Sequence, residues 1–152
     1  MRVAVAADHA GFPLYELAIG EVRKLGHEAF GLNRAGPPDP GDDYTDFAVM
    51  VGEKVQRGEC ERGIVICGSG VGVSVAANKL VGVRACMCHD TYSAHQGVEH
   101  DAMNVLCLGA KIIGDALMLE LLRAFLGASF DGAARHQRRL DKIAKIEASP
   151  RG

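Results

Sequence analysis

A chain of 152 residues, 48% hydrophobic and 24% charged, carries enough apolar surface for one core, which excludes global disorder and a two-domain enzyme. Lys and Arg number 17 against 19 Asp and Glu, a net charge of -2, so there is no general electrostatic reason to bind nucleic acid or an anionic membrane, and any anion site must be local. Five scattered cysteines exclude a disulfide scaffold and fit reduced thiols in a cytoplasm; with no signal-peptide pattern and no uninterrupted apolar run, a soluble protein is expected.

The first segment, residues 3–7, is wholly apolar and stops at Asp8-His9-Ala10-Gly11, as a strand buried on both faces does. Leu14, Leu17, Ala18, Val22 and Leu25 then recur at helical spacing, with Gly26 as the stop. Further strands are expected over 28–32, 63–67, 83–87 and 104–108, and helices over 45–57, 71–80, 91–100 and 112–126. Residues 33–43, with Pro37, Pro38, Pro40, Gly36 and Gly41, read as an irregular surface loop able to cover a site. Beyond Gly127 a basic helix over 135–147 has only a narrow apolar stripe, Leu140, Ile143 and Ala144. It suits a contact with a neighbouring subunit or a solvated end. Alternating strands and helices with apolar strands predict a doubly wound α/β domain of about five parallel strands, one domain over 1–152.

In open α/β sheets ligands bind beyond the carboxyl ends of the strands. That rule selects Asp8 and His9, the run Cys67-Gly68-Ser69-Gly70-Val71-Gly72, His89 and Asp90, and Gly109 to Lys111. The CGSGVG run, between an apolar strand and a helix, can turn several N–H groups onto one anionic oxygen, and the helix that follows favours the thiolate form of Cys67. Without the glycines Cys67 would read as an inert core thiol. A dinucleotide fingerprint is disfavoured, because GxGxxG would need glycine where Val73 stands, and Asp90 then loses its role as the ribose acid. Cys86, Cys88 and His89 lack a second ligand pair and read as core cysteines beside a histidine, so no metal is expected. His95 and His100 are ordinary surface imidazoles unless a partner is found for them. Arg135 and Arg139, one helical turn apart, could grip a phosphate.

Taken together, DHAG at 8–11, DYTDFA at 43–48, GIVICGSGVGVSVAANK at 63–79, HDTYSA at 89–94, EH at 99–100, NVLCLGAKIIG at 104–114 and RHQRR at 135–139 resemble the ribose-5-phosphate isomerases of the B type. The resemblance extends to the galactose-6-phosphate and allose-6-phosphate isomerases. It implies a Rossmann-like three-layer sandwich, no cofactor, a phosphorylated sugar as substrate, and a homodimer or dimer of dimers with sites at the subunit interface. By this resemblance Cys67 matches the base and His100 the group that opens the sugar ring. Asp8 and His9 match substrate contacts, Gly68, Ser69, Gly70, Val71 and Gly72 the loop around the reacting carbons, and Arg135 with Arg139 the phosphate ligands.

The implied chemistry moves a carbonyl between C1 and C2 through a cis-enediolate, with one base making both proton transfers and the amides of Gly70 to Gly72 holding the enediolate oxygen. Asp101 stands where the family usually has Asn, and Lys111 where it usually has Arg. Ribose 5-phosphate is the expected substrate, with a tetrose or hexose phosphate as the alternative. A nucleotide-binding dehydrogenase-like domain and a non-catalytic sugar-phosphate-binding partner subunit are the rivals from other classes.

Overall fold

The computed structural model describes residues 1–36 and 38–149; Pro37 of the expected loop and residues 150–152 of the basic tail lie outside them. In chain order the strands are β1 (Arg2–Ala7), β2 (Glu28–Gly31), β3 (Arg62–Cys67), β4 (Ala85–Met87) and β5 (Val105–Gly109). The helices are α1 (Tyr15–Lys24), entered through a 3-10 turn at Phe12–Leu14, α2 (Tyr44–Gln56), α3 (Val71–Ala77), α4 (Thr91–Asp101), α5 (Asp115–Gly127) and α6 (Ala134–Ala148). The strands form one sheet in the order β2-β1-β3-β5-β4, with every pair parallel.

Strand alternation divides the core in two. Val3, Val5, Ala7, Ile64, Ile66, Leu106 and Leu108 meet Ala18 and Val22 of α1, Ala94 and Val98 of α4, and Met118, Leu122 and Phe125 of α5. Ala4, Ala6, Val65, Cys67, Val105 and Cys107 meet Ala48 and Val51 of α2 and Val73 and Ala77 of α3. The assignment of faces follows from handedness. The crossovers β1 to β2 and β4 to β5 step one way along the sheet and place α1 and α4 on one face. The crossovers β2 to β3 and β3 to β4 step the other way and place α2 and α3 opposite, as right-handed connections require. The chain therefore leaves β3 toward one face while its neighbours β1 and β5 exit toward the other. The crevice this opens lies at Cys67, the last residue of β3.

Where elements stop short of the sequence expectation, a side chain has taken the backbone's partner. α3 ends at Ala77 because the Asn78 amide donates to Ser74 O and Ala85 O, at 2.9 and 2.7 Å, and its Oδ1 accepts the Ala85 N–H at 2.9 Å. β4 begins at Ala85 and not at Val83 because the Arg84 N–H goes to Asn104 Oδ1 at 2.8 Å. α5 begins at Asp115, three residues later than expected, since the amides of Ile112 and Ile113 both turn back onto Gly109 O. α6 packs on its own chain: His136 is buried against α4, and Glu147 accepts the Gly82 N–H at 3.1 Å. Its outer side leaves Ile146 73% exposed. Among the described residues no helix is long and apolar enough to cross a membrane.

Candidate functional site

The carboxyl edge of the sheet gathers the ends of β1, β3 and β5 into one knot of backbone. Asp8 N–H donates to Ile66 O at 3.1 Å, Ala110 N–H to Cys67 O at 2.8 Å and Lys111 N–H to Gly68 O at 3.0 Å. Cys67 is buried, and its Sγ accepts the Gly70 N–H at 3.1 Å. Gly70 can turn its amide back because it adopts φ 81, a left-handed conformation that costs glycine nothing. The Asp8 carboxylate, also buried, accepts the Gly11 N–H at 2.8 Å. His9, exposed beside it, bonds Asp42 Oδ1 through both its ring Nδ1, at 2.7 Å, and its backbone N–H, at 3.2 Å. The stem of Lys111 passes over Gly68, and the Tyr44 ring lies so close to Gly72 that a Cβ there would come within 2.7 Å of it.

Two of the three amides that the sequence reading sets on the enediolate oxygen have partners within the loop: the Gly70 N–H meets the Cys67 sulfur at 3.1 Å and the Val71 N–H meets Ser69 Oγ at 3.3 Å. Gly72, in the first turn of α3, has no intrahelical acceptor and is the amide of the three left to serve one.

His100 lies far from this edge. α4 starts just past the carboxyl end of β4 and runs back for 11 residues, about 16 Å, so His100, Asp101 and the entry to β5 lie at the amino edge of the sheet, opposite Cys67. Arg135 and Arg139 share that edge, since α6 begins against His100 and ends at Gly82, just before β4. The sequence-predicted residues thus fall into two groups, Asp8, His9, Cys67 to Gly72 and Lys111 at one edge, and His100, Asp101, Arg135 and Arg139 at the other.

At the amino edge the Gln96 amide meets the Nδ1 of His100 at 2.7 Å, and its Nε2 lies 3.9 Å from Glu99 Oε2. Its ring stacks on that of His136, centroids 4.1 Å apart. Asp90 caps α4 by accepting the Ser93 N–H at 2.7 Å, a local role that accounts for it fully. Three thiols are pushed up by burial: Cys60, Cys88, which reaches about 12, and Cys107. Cys86, expected in the core, is exposed because β4 is an edge strand.

Among the described residues two trios of side chains bring metal-competent atoms within 4.8 Å of one another, Asp8 with His9 and Asp42, and His100 with Asp131 and His136. Each is already knit by hydrogen bonds. His9 donates twice to Asp42, and Arg135 Nε, a donor at every accessible pH, occupies the His136 Nε2 lone pair at 3.0 Å. Five polar residues of these edges went unassigned from sequence. Asp42 sits in the proline-rich loop, Tyr44 begins α2, Gln96 lies one turn before His100, Asp131 precedes α6, and His136 is inside RHQRR. Of these Gln96 alone carried a signal, its helical spacing from His100.

A doubly wound sheet whose carboxyl edge presents a buried thiol, a buried carboxylate and a glycine-rich amide loop defines an α/β enzyme acting on a small polar substrate. The ribose/galactose isomerase family model matches residues 3–143, and the chain belongs to that family of sugar-phosphate isomerases. Ribose-5-phosphate isomerase B of Escherichia coli is 37% identical over 96% of each chain. D-erythrulose-4-phosphate isomerase 2 of Mycolicibacterium smegmatis is 33% identical, over 98% of this chain and 99% of its own. The solved type B ribose 5-phosphate isomerase of Trypanosoma cruzi superposes with a TM-score of 0.94 at 40% identity, covering 99% of this chain and 100% of that one.

Proposed function

We propose that the chain acts as a single domain interconverting ribose 5-phosphate and ribulose 5-phosphate, in a site made from the carboxyl edge of one copy and the amino edge of a second. The observation that carries the chemistry is the Cys67 sulfur at the sheet's switch point, 3.1 Å from the Gly70 amide and adjacent to the Asp8 loop. His100 opens the furanose, and Asp8 contacts the sugar hydroxyls. Cys67, as thiolate, takes the proton from C2 of the open aldose. The electron pair left behind forms the C1=C2 bond, the O2 proton passes to O1, and sulfur returns its proton to C1. The Gly72 amide holds the enediolate oxygen, a contribution of about 3 kcal/mol. Phosphate held by His9 on one side and Arg135 and Arg139 on the other supplies remote binding energy that positions the carbons.

Pairing of two copies follows from the division of the site. An α/β protein this small cannot bring opposite edges of its own sheet together, whereas a two-fold partner can present its amino edge to the thiol loop. Val71, Val75, Tyr92 and Ile112, exposed apolar side chains around the carboxyl edge, supply a surface for it. A second substrate reading, a tetrose 4-phosphate, is favoured by the similarity to the erythrulose-4-phosphate isomerase together with Asp101 and Lys111.

Mixing two inactive variants tests the reading. Cys67→Ala and His100→Ala, each silent alone on ribose 5-phosphate, should on subunit exchange recover about a quarter of wild-type activity, since half the dimers are mixed and each mixed dimer holds one intact site. No recovery after verified exchange overturns the shared site. Failure of wild type to exchange solvent deuterium into either sugar overturns the isomerase chemistry. A tetrose phosphate cannot form the furanose, so if it is the substrate His100→Ala keeps its turnover.

A further inference from the structure

We infer that His136, oriented by Asp131, is a positioning residue for both groups that the amino edge contributes, the Arg135 guanidinium and the His100 imidazole. This rests on the reading of those two residues given above.

His136 is the one buried residue of α6 and is 1% exposed, although Arg135, Gln137, Arg138 and Arg139 around it are open to solvent. Its ring is committed on three sides. Arg135 Nε donates to Nε2 at 3.0 Å, so Nε2 carries the lone pair and the proton sits on Nδ1. That proton faces both carboxylate oxygens of Asp131, each at 2.9 Å. Asp131 is itself pinned: its carboxylate accepts the Ala133 N–H at 2.8 Å and its own N–H donates to Glu99 O of α4 at 3.0 Å. The Ala133 amide first, and His136 next, hold its carboxyl below the usual range, so it remains the acceptor that fixes this tautomer. On the third side the ring stacks on His100 at an interplanar angle of 28°.

An arginine anchored through Nε keeps its two terminal amino groups as a free fork, the geometry that grips a phosphate bidentately. The anchor removes rotamer freedom before the ligand arrives, so less is lost on binding. The stack does the same for His100, whose ring is held between the face of His136 and the Gln96 amide.

Two substitutions separate these roles. His136→Phe keeps a ring under His100 and removes the acceptor from Arg135. His136→Gln keeps an acceptor in reach of Arg135 and removes the ring. Binding of inorganic phosphate by calorimetry, kcat and KM on ribose 5-phosphate, and Tm are measured for both. His136→Phe is expected to weaken phosphate binding and raise KM roughly tenfold, the loss of one hydrogen bond to a charged group, with kcat retained. His136→Gln is expected to keep phosphate affinity and lower kcat. Losses that track the fall in Tm equally in both variants, or phosphate affinity unchanged in His136→Phe, overturn the inference. Phosphate binding is read without turnover. A wild type that binds phosphate through Arg135 but isomerises nothing would sink the proposed activity and leave the anchor standing.

Discussion

Replacing Gly70 by alanine puts the thiol loop to its sharpest test. The residue sits at φ 81, which costs an L-residue about 1–2 kcal/mol. Its new Cβ would lie 3.1 Å from Leu108 C and 3.3 Å from Gly109 N, backbone atoms inside the sheet that yield only by shifting β5, at about 1–3 kcal/mol. The total, about 3 kcal/mol, corresponds to roughly 6–12 °C in Tm at this chain length. Gly26→Ala is the control: the same φ of 81 with nothing within 4 Å of the added carbon, so only the backbone cost of about 1–2 kcal/mol applies, roughly 2–8 °C. Moving the Gly70 amide from sulfur and displacing the Gly72 amide with it should lower kcat about a hundredfold, while Gly26→Ala leaves kcat unchanged. Calorimetric Tm and steady-state kinetics on both variants read this out. Equal Tm losses, or an undiminished kcat in Gly70→Ala, would refute the argument that this amide turn holds the chemistry.

Acid should unfasten α6 through Asp131. Its carboxyl is depressed in the folded protein by the Ala133 amide and then His136, so its stabilisation is complete above the ordinary carboxylate pKa of about 4 and is lost as pH falls through the folded value. Scanning calorimetry of Asp131→Asn should therefore show a lower Tm at pH 7 and a shallower decline below about pH 4; an acid limb identical to wild type would contradict this. Burial pushes Cys88 up to about 12 and Cys107 further, so at pH 8 iodoacetamide should leave both unmodified in folded protein and alkylate both after unfolding, by mass mapping. Labelling of either in the native state would mean that the core opens there.

The architecture was readable because the strands announce themselves. Residues 3–7, 63–67 and 105–108 are short apolar runs, and each ends in the polar or glycine-rich residues that mark a carboxyl edge. Element ends were less readable where a side chain substitutes for backbone, as Asn78 does for α3 and Asn104 for β4, because such bonds join residues far apart in sequence. The loop's glycines were seen, but not that the Gly70 amide would serve sulfur, which depends on one dihedral angle. The division of the site was implicit in the element order, since a helix following a parallel strand must return to the amino edge and carry His100 with it. Asp42 and His136 escaped notice because their importance lies in a bond to another side chain, and neither residue type is unusual where it stands.

The separation of sulfur and imidazole onto opposite margins of the sheet reaches beyond the residues that handle substrate. Under the proposed pairing, Val71, Tyr92 and Ile112, which carry no reactive group, become as indispensable as Cys67, because they decide whether the two margins ever meet. A compound wedged against those side chains would silence both catalytic centres of a pair at once without ever competing with sugar.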